Sequence, residues 1–241
     1  MVTAGVQGIG LAISRALLDA GCKVVVHYFS SADAANELKA EYGDRVEAFQ
    51  ADLTDPAQAK QMVENAVEAL GGLEILINNA GSLIGRRGLD EVDMDFWRSV
   101  IDVNVTSMIN VTKFAAPALR EANGASIVNL ASLAGRKGGH AGSLVYSTAK
   151  GAVLTMTRAL SNELGPDGIR VNALAPGLIL ETSFHNTHTT KESADATIAQ
   201  IPIGRAGNPN DVAHAAVFLA EQFDGFVTGA TLDINGGVYC A

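Results

Sequence analysis

Short apolar runs alternate with amphipathic stretches along most of the chain. Runs at Val24-Val25-Val26, Val46-Glu47-Ala48-Phe49, Ile75-Leu76-Ile77, Ile127-Val128-Asn129-Leu130, Ile169-Arg170-Val171-Asn172 and Thr231-Leu232-Asp233-Ile234 predict strands. They are near-continuous rather than alternating, the pattern of parallel strands covered on both faces. Between them a helical period runs over residues 11–20, 56–70 and 211–220. Asp55-Pro56 reads as a helix start, with Asp as the cap and Pro in the first turn. Repeated strand–helix units of this kind predict an α/β chain folded as a doubly wound parallel sheet.

One stretch breaks the rhythm. Residues 177–200 hold Gly, several Ser and Thr, and Glu181, Lys191, Glu192 and Asp195, without a clear apolar period. An insertion near the carboxyl ends of such strands reads as a mobile cover over a ligand site. No linker, low-complexity tract or internal repeat interrupts the rest, so residues 1–241 are expected to form a single domain.

Composition narrows the classes. Of 241 residues 48% are apolar, the globular average, which excludes general disorder. The 26 acidic residues against 17 basic ones leave a net charge of −9. That balance argues against a nucleic-acid or anionic-membrane partner and leaves a small-molecule substrate as the expected one. Cys22 and Cys240 lie at opposite ends with no Cys/His cluster, which suits a reducing cytoplasm and predicts no zinc site. No apolar run approaches the ~18 residues of a membrane span, and no leader pattern opens the chain, so a cytoplasmic protein is expected.

Two local patterns carry chemistry. Thr3-Ala4-Gly5-Val6-Gln7-Gly8-Ile9-Gly10 joins a strand fragment to a helix. Glycines there permit a tight turn and a close backbone approach to a pyrophosphate, and the helix start presents N–H groups to it. Further on, Tyr146-Ser147-Thr148-Ala149-Lys150 puts a phenol and an ammonium on one helical face, four residues apart. A nearby positive charge favours phenolate and is expected to lower the phenol from ~10 towards working pH. That suits a general acid and base for interconverting a carbonyl and an alcohol.

With these motifs the chain resembles the short-chain dehydrogenase/reductase family over nearly its whole length. The resemblance implies a Rossmann-type sheet of about seven strands with helices on both faces. It assigns Gly5, Gln7, Gly8, Ile9 and Gly10 to the phosphate loop and Asp52-Leu53 to the adenine. Asn78-Asn79-Ala80-Gly81 is similar to the family's cofactor-contacting motif, which brings in Asn79, Ala80 and Gly81. Asn104 matches the asparagine that holds a proton-relay water, and Ser132 the serine that orients the substrate oxygen. Pro176-Gly177, with Thr182 downstream, is similar to the segment touching the nicotinamide carboxamide. Tyr146 and Lys150 take the family's acid/base and ribose-binding roles, and the implied reaction is hydride transfer at a secondary alcohol or ketone. The helices holding Asn104 and Tyr146 pair subunits in relatives, which implies a homotetramer with twofold symmetry.

Departures from the family pattern matter as much. Ala4 stands where glycine is usual, so the turn is expected to fall on Gly5. Only Met1-Val2 precede Thr3, so the first strand is expected to be short, and an upstream apolar extension to stabilise it. Tyr28 occupies the place of the acid that would hold a ribose 2′-hydroxyl, and Ser30 and Ser31 follow. The missing acid favours NADP(H) over NAD(H). The substrate is expected to be a small polyol, sugar or hydroxy acid. The alternative is a 3-oxoacyl carrier-protein reductase, which tends to carry a basic docking residue where Asp167 stands. A non-catalytic dinucleotide sensor is the alternative of another class. His185 and His188 read as surface or substrate-lining groups, not a metal pair. Arg86-Arg87 read either as solvated loop charges or as a lure for an acidic group at the mouth of the site.

Overall fold

A computed structural model of the protein describes all residues except 123, 183–186, 188 and 221–224. Strands β1 (Val24–Tyr28) and β2 (Val46–Gln50) pair in parallel, as do β3 (Ile75–Asn78), β4 (Ser126–Leu130), β5 (Arg170–Pro176) and β6 (Thr231–Ile234) in that order. Met1–Thr3 joins the two groups. Val2 bridges Val26 on one side and Ile77 on the other, both in the parallel sense. Its N–H donates to Val25 and its carbonyl accepts from His27, while Ile77 accepts from Thr3 and donates to Met1, all at 2.9–3.0 Å. The order is therefore β2-β1-(Met1–Thr3)-β3-β4-β5-β6, a doubly wound sheet whose short central segment bonds to both neighbours.

Helices cover both faces, because strands apolar on both sides must be shielded on both. On one face α1 (Gly8–Asp19) buries Ile13, Leu17 and Leu18 against Val24, Val26 and Ile77, together with α9 (Pro209–Ala220). On the other, α3 (Pro56–Leu70), α5 (Ser107–Glu121) and α7 (Leu144–Leu164) bring Met62, Val63, Leu119 and Leu164 against Leu76, Ile127 and Val171. The predicted start of α3 is realised: Asp55 Oδ1 accepts from Ala57 N–H at 2.8 Å, with Pro56 next. The other α-helices of the described residues are α2 (Ala32–Tyr42), α4 (Met94–Ile101), α6 (Leu133–Lys137) and α8 (Lys191–Ile198).

Two expectations change. The stretch 177–200 contains α8, capped by Thr190, whose Oγ1 accepts from Ser193 N–H at 3.2 Å. Its one buried residue is Ala194, which is why no apolar period betrays it. The left-handed turn of the glycine loop falls not on Gly5 but on Ala4, at φ 47°, with Gly8 at φ 52°. Gly5 is required for space instead: a Cβ there would lie 2.9 Å from Ser14 Oγ and Val26 Cγ1. A left-handed alanine costs about 1–2 kcal/mol, so the surroundings must hold it.

Candidate active site

The glycine loop is held from three sides. Ala4 N–H donates to His27 Nδ1 at 3.0 Å, and Asn79 Nδ2 donates to the carbonyls of Thr3 and Ala4 at 3.1 and 3.0 Å. Thr3 Oγ1 accepts from the N–H groups of both Asn79 and Ala80 at 2.9 Å. A Cβ on Gly10 would sit 2.1 Å from the Ala4 carbonyl, so α1 crosses the loop at a distance only glycine permits. Helix α1 then starts at Gly8 with Gln7 as an extended cap that makes no side-chain cap bond and no acid in its first turn. Its first N–H groups are left for a ligand, and Gly8, Ile9 and Gly10 line the cleft there. An anionic diphosphate fits this helix start.

His27 and Thr3 were missed by the sequence reading. His27 is buried, with Nε2 3.0 Å from the Ala51 carbonyl and Nδ1 accepting from Ala4, which places its single proton on Nε2. Burial holds its pKa below the ordinary 6.5, the Ala51 carbonyl opposing. The available signal was a polar residue inside an otherwise apolar strand, the same signal as for Thr3.

The opposite wall gathers Ser132, Tyr146 and Lys150. β4 ends at Leu130, and Ser132 caps α6, its Oγ accepting from Ala134 N–H at 3.1 Å. Helix α7 packs beside α6 closely: a Cβ on Gly135 would lie 2.6 Å from the Lys150 backbone carbon. Tyr146 and Lys150 share the α7 face that lines the cleft with Ser132. Withdrawal from water pushes the Tyr146 phenol up to about 12, with a hydrogen bond to Ser132 pulling the other way. This differs from the expected lowering by Lys150, whose Nζ lies 5.8 Å from the ring centroid. Lys150 is itself 3% exposed, donates to the Leu130 carbonyl at 2.7 Å, and is lowered by burial to about 8.

Asn104 sits fully buried in a turn of π-helix, Asp102–Thr106, between α4 and α5. Its amide donates to the carbonyls of Ser82 and Val100 at 2.7 and 2.8 Å, and its Oδ1 accepts from Ser82 N–H at 3.2 Å. The side chain thus fastens the segment after β3. A Cβ on Gly81 would lie 2.6 Å from Asn104 Oδ1 and 3.0 Å from Lys150 Nζ.

The cleft encloses about 300 Å³ and gathers Gln7, Asn79, Gly81, Pro176, Gly177 and Thr182 with the loop and the Ser132–Tyr146–Lys150 wall. Gly5, Tyr28, Ser30, Ser31, Asp52, Leu53, Ala80 and Asn104 do not line it. Gly5 lies behind the loop, and Ser31 Oγ reaches Gln7 Oε1 at 3.4 Å, so β1's end borders the cleft through Gln7. Asp52 Oδ1 accepts from the Thr54 N–H and hydroxyl, and Leu53 packs into the core. Ser193 and Thr197, four apart on α8, line the far side with Thr189. His185 and His188 lie outside the described residues.

The comparisons agree with this geometry. A family model described as enoyl-(acyl carrier protein) reductase matches residues 3–239. An acetoacetyl-CoA reductase of Shinella zoogloeoides is 37% identical over 239 residues, covering 99% of this chain and 97% of that protein. A 3-oxoacyl-(acyl-carrier-protein) reductase of Vibrio cholerae is 32% identical, covering 99% and 96%. Among solved structures, an NADH-dependent reductase responsible for alginate metabolism superposes with a TM-score of 0.88 at 32% identity, covering 99% and 96%. A dehydrogenase/reductase from Sinorhizobium meliloti 1021 reaches 0.91 at 33% identity, covering 99% and 94%. With its dinucleotide-type helix start, its Tyr-x-x-x-Lys face and relatives matched end to end, this chain belongs to the short-chain dehydrogenase/reductase family of NAD(P)-dependent oxidoreductases.

Proposed function

We propose that the protein reduces a small ketone, or oxidises the matching secondary alcohol, at the Ser132–Tyr146–Lys150 wall. The observation that carries the reading is the convergence of that wall and the α1 start on one cleft. The nicotinamide cofactor, when bound, supplies or accepts the hydride at the carbonyl carbon. Tyr146 donates the proton that the carbonyl oxygen needs. A phenol raised by burial is protonated at neutral pH and has that proton to give. Ser132, already hydrogen-bonded to Tyr146, orients the same oxygen. Lys150 contributes positive charge and binds ribose, and Asn104 holds the segment that shapes this corner and its water. Gln7, Gly8, Ile9 and Gly10 receive the diphosphate while Gly5 backs the loop. The family resemblance puts Asp52 and Leu53 towards the adenine and Ala80 with Asn79 and Gly81 beside the cofactor, and Pro176, Gly177 and Thr182 border the nicotinamide.

Tyr146→Phe is expected to leave folding and cofactor binding intact while kcat falls at least ~10²-fold. Near-wild-type turnover by this variant overturns the mechanism. Lys150→Ala is expected to lower kcat and weaken cofactor binding together.

NADP(H) is the proposed preference. No acid occupies position 28, and Ser30 and Ser31 stand at the start of α2, where Ser31 makes no side-chain cap bond. Asp33 in that first turn weakens the site for a phosphate. A higher kcat/KM with NADH than with NADPH overturns this preference.

A small substrate is favoured over one attached to a carrier protein, because Asp167 stands where a basic docking residue is expected and takes up the neighbouring Arg120 in an ion pair at 2.6 Å. A twofold-symmetric homotetramer is proposed from the family resemblance and from apolar residues left exposed on α5 and α7, Ile109 and Leu144. A monomer by light scattering at micromolar concentration removes it.

A further inference from the structure

The cleft is charged with one sign. Among the described residues no Asp or Glu lines it, although acidic residues outnumber basic ones 26 to 17 in the chain. Its ionisable lining besides Tyr146 is Lys150 at the chemical wall and Arg86, Lys137 and His140 at the mouth.

These three mouth residues sit on two segments that touch. Arg86 Nη1 donates to the Ala141 carbonyl at 3.3 Å, and Arg87 N–H donates to the Gly142 carbonyl at 3.0 Å. The seam is tight, since a Cβ on Gly142 would lie 2.9 Å from Arg86 Cβ. Lys137 ends α6, and Gly138 and Gly139, both left-handed at φ 88° and 70°, turn the chain directly into His140.

Arg86 and Lys137 each have a sequence neighbour of the same charge with a different fate. Arg87 pairs with Asp93 and lies over the Phe96 ring at 4.3 Å. Arg136 pairs with Asp233 at 3.1 Å. Arg86 and Lys137 instead enter none of the ion pairs among the described residues. One member of each pair is neutralised by a carboxylate of the fold, and the other is left facing the cleft.

We infer that the cleft takes an anionic substrate, an oxo or hydroxy acid whose carboxylate rests against Arg86 and Lys137. The inference deepens the function proposed above and rests on it. A guanidinium offers a carboxylate two parallel N–H donors, and the ammonium adds a second charge. With no acid in the lining, the cationic mouth also raises the local concentration of an anion.

The test measures reduction by NADPH and NADH of 2-, 3- and 4-oxo acids against their methyl esters, with acetoacetyl-CoA as a separate arm. It compares the wild type with Arg86→Ala, Lys137→Ala and the double variant. The acid is expected to exceed its ester in kcat/KM by about tenfold or more, the scale of a charge-assisted hydrogen bond. That ratio is expected to shrink in each variant and with added salt. Esters used as well as acids, or a ratio unmoved in the double variant, overturn the inference. An Arg86-dependent preference for acetoacetyl-CoA, with acid and ester equal, assigns the anion to a phosphate and overturns the carboxylate. If neither acids nor esters turn over, the fault lies with the oxidoreductase reading, and charge selection is read from binding instead. Butanoate must then perturb the fluorescence of protein-bound NADPH at lower concentration than butanamide, and equal concentrations overturn the inference.

Discussion

Two sides of the cleft, the glycine loop and α8, are built in opposite ways. The glycine-loop wall is tied into the sheet through Val2, Thr3 and His27, and its helix α1 buries Gly10, Ile13, Ser14, Leu17 and Leu18. The far side at α8 buries Ala194 alone and presents Ser193 and Thr197 to the cleft. Local stability follows buried apolar area and buried hydrogen bonds, so of these two sides the first is the more rigid and the second the more easily opened. On the function proposed above, a diphosphate that is the same in every turnover rewards a rigid seat, and a substrate that enters and leaves gains from a side that yields.

Gly10→Ala attacks the rigid wall where it is tightest. A methyl placed 2.1 Å from the Ala4 carbonyl forces backbone to move, and the variant is expected to lose at least about 1–3 kcal/mol of stability and most of its cofactor affinity. Denaturant unfolding and cofactor titration check both losses, and retention of either breaks the comparison.

His27 tests the same wall through pH. Its pKa is lowered in the folded state, so below 6.5 the unfolded chain takes up a proton that the folded protein resists. This contribution is complete above pH 6.5 and is lost as pH falls through the folded value. Protonated Nδ1 also ceases to accept from Ala4. Cofactor affinity is therefore expected to fall in the same acid window as stability. In His27→Ala, where the half-buried Ala4 N–H and the buried Ala51 carbonyl each lose a partner, up to about 1–3 kcal/mol for the carbonyl, stability is expected to drop at neutral pH and its acid dependence to flatten.

Ala4→Gly sharpens the contrast with a smaller effect of the opposite sign. Relief of a left-handed alanine gains about 1–2 kcal/mol, offset by the ~0.4–1 kcal/mol entropy of a freer unfolded chain. A rise in Tm of a few degrees is expected in thermal unfolding.

Thr190→Ala is the smallest change. Removing the cap of α8 costs that helix about 1 kcal/mol locally, yet global Tm is expected to stay within about 1 °C while hydrogen exchange over 191–198 accelerates. A drop in Tm like that of a core substitution would show that α8 unfolds with the sheet.

The parts of the molecule legible from its sequence are those governed by short-range periodicity. Near-continuous apolar runs marked β1 to β6, Asp55-Pro56 marked the start of α3, and the four-residue spacing put Tyr146 and Lys150 on one face. The turn residue did not follow the local rule. Glycine propensity pointed to Gly5, but Ser14 and Val26 left no room for a side chain there, and bonds from His27 and Asn79 held Ala4 at φ 47° instead. Helix α8 escaped because its cleft face is hydroxylic rather than apolar, so it has the helix's period without its usual marker.

By itself, the order of residues determined a parallel α/β sheet, a glycine loop at a helix start and a Tyr146–Lys150 pair on one helical face, because each depends on neighbours within one or two turns of chain. Tertiary structure alone decided that burial raises Tyr146 to about 12 rather than lowering it, and that His27 braces the loop from 23 residues away. It also decided that Arg86 and Lys137 face the cleft while Arg87 and Arg136 are neutralised. Those outcomes turn on which carboxylates, carbonyls and apolar atoms arrive from distant parts of the chain. Desolvation and Coulomb energy depend on distance in space, and separation along the sequence does not report it.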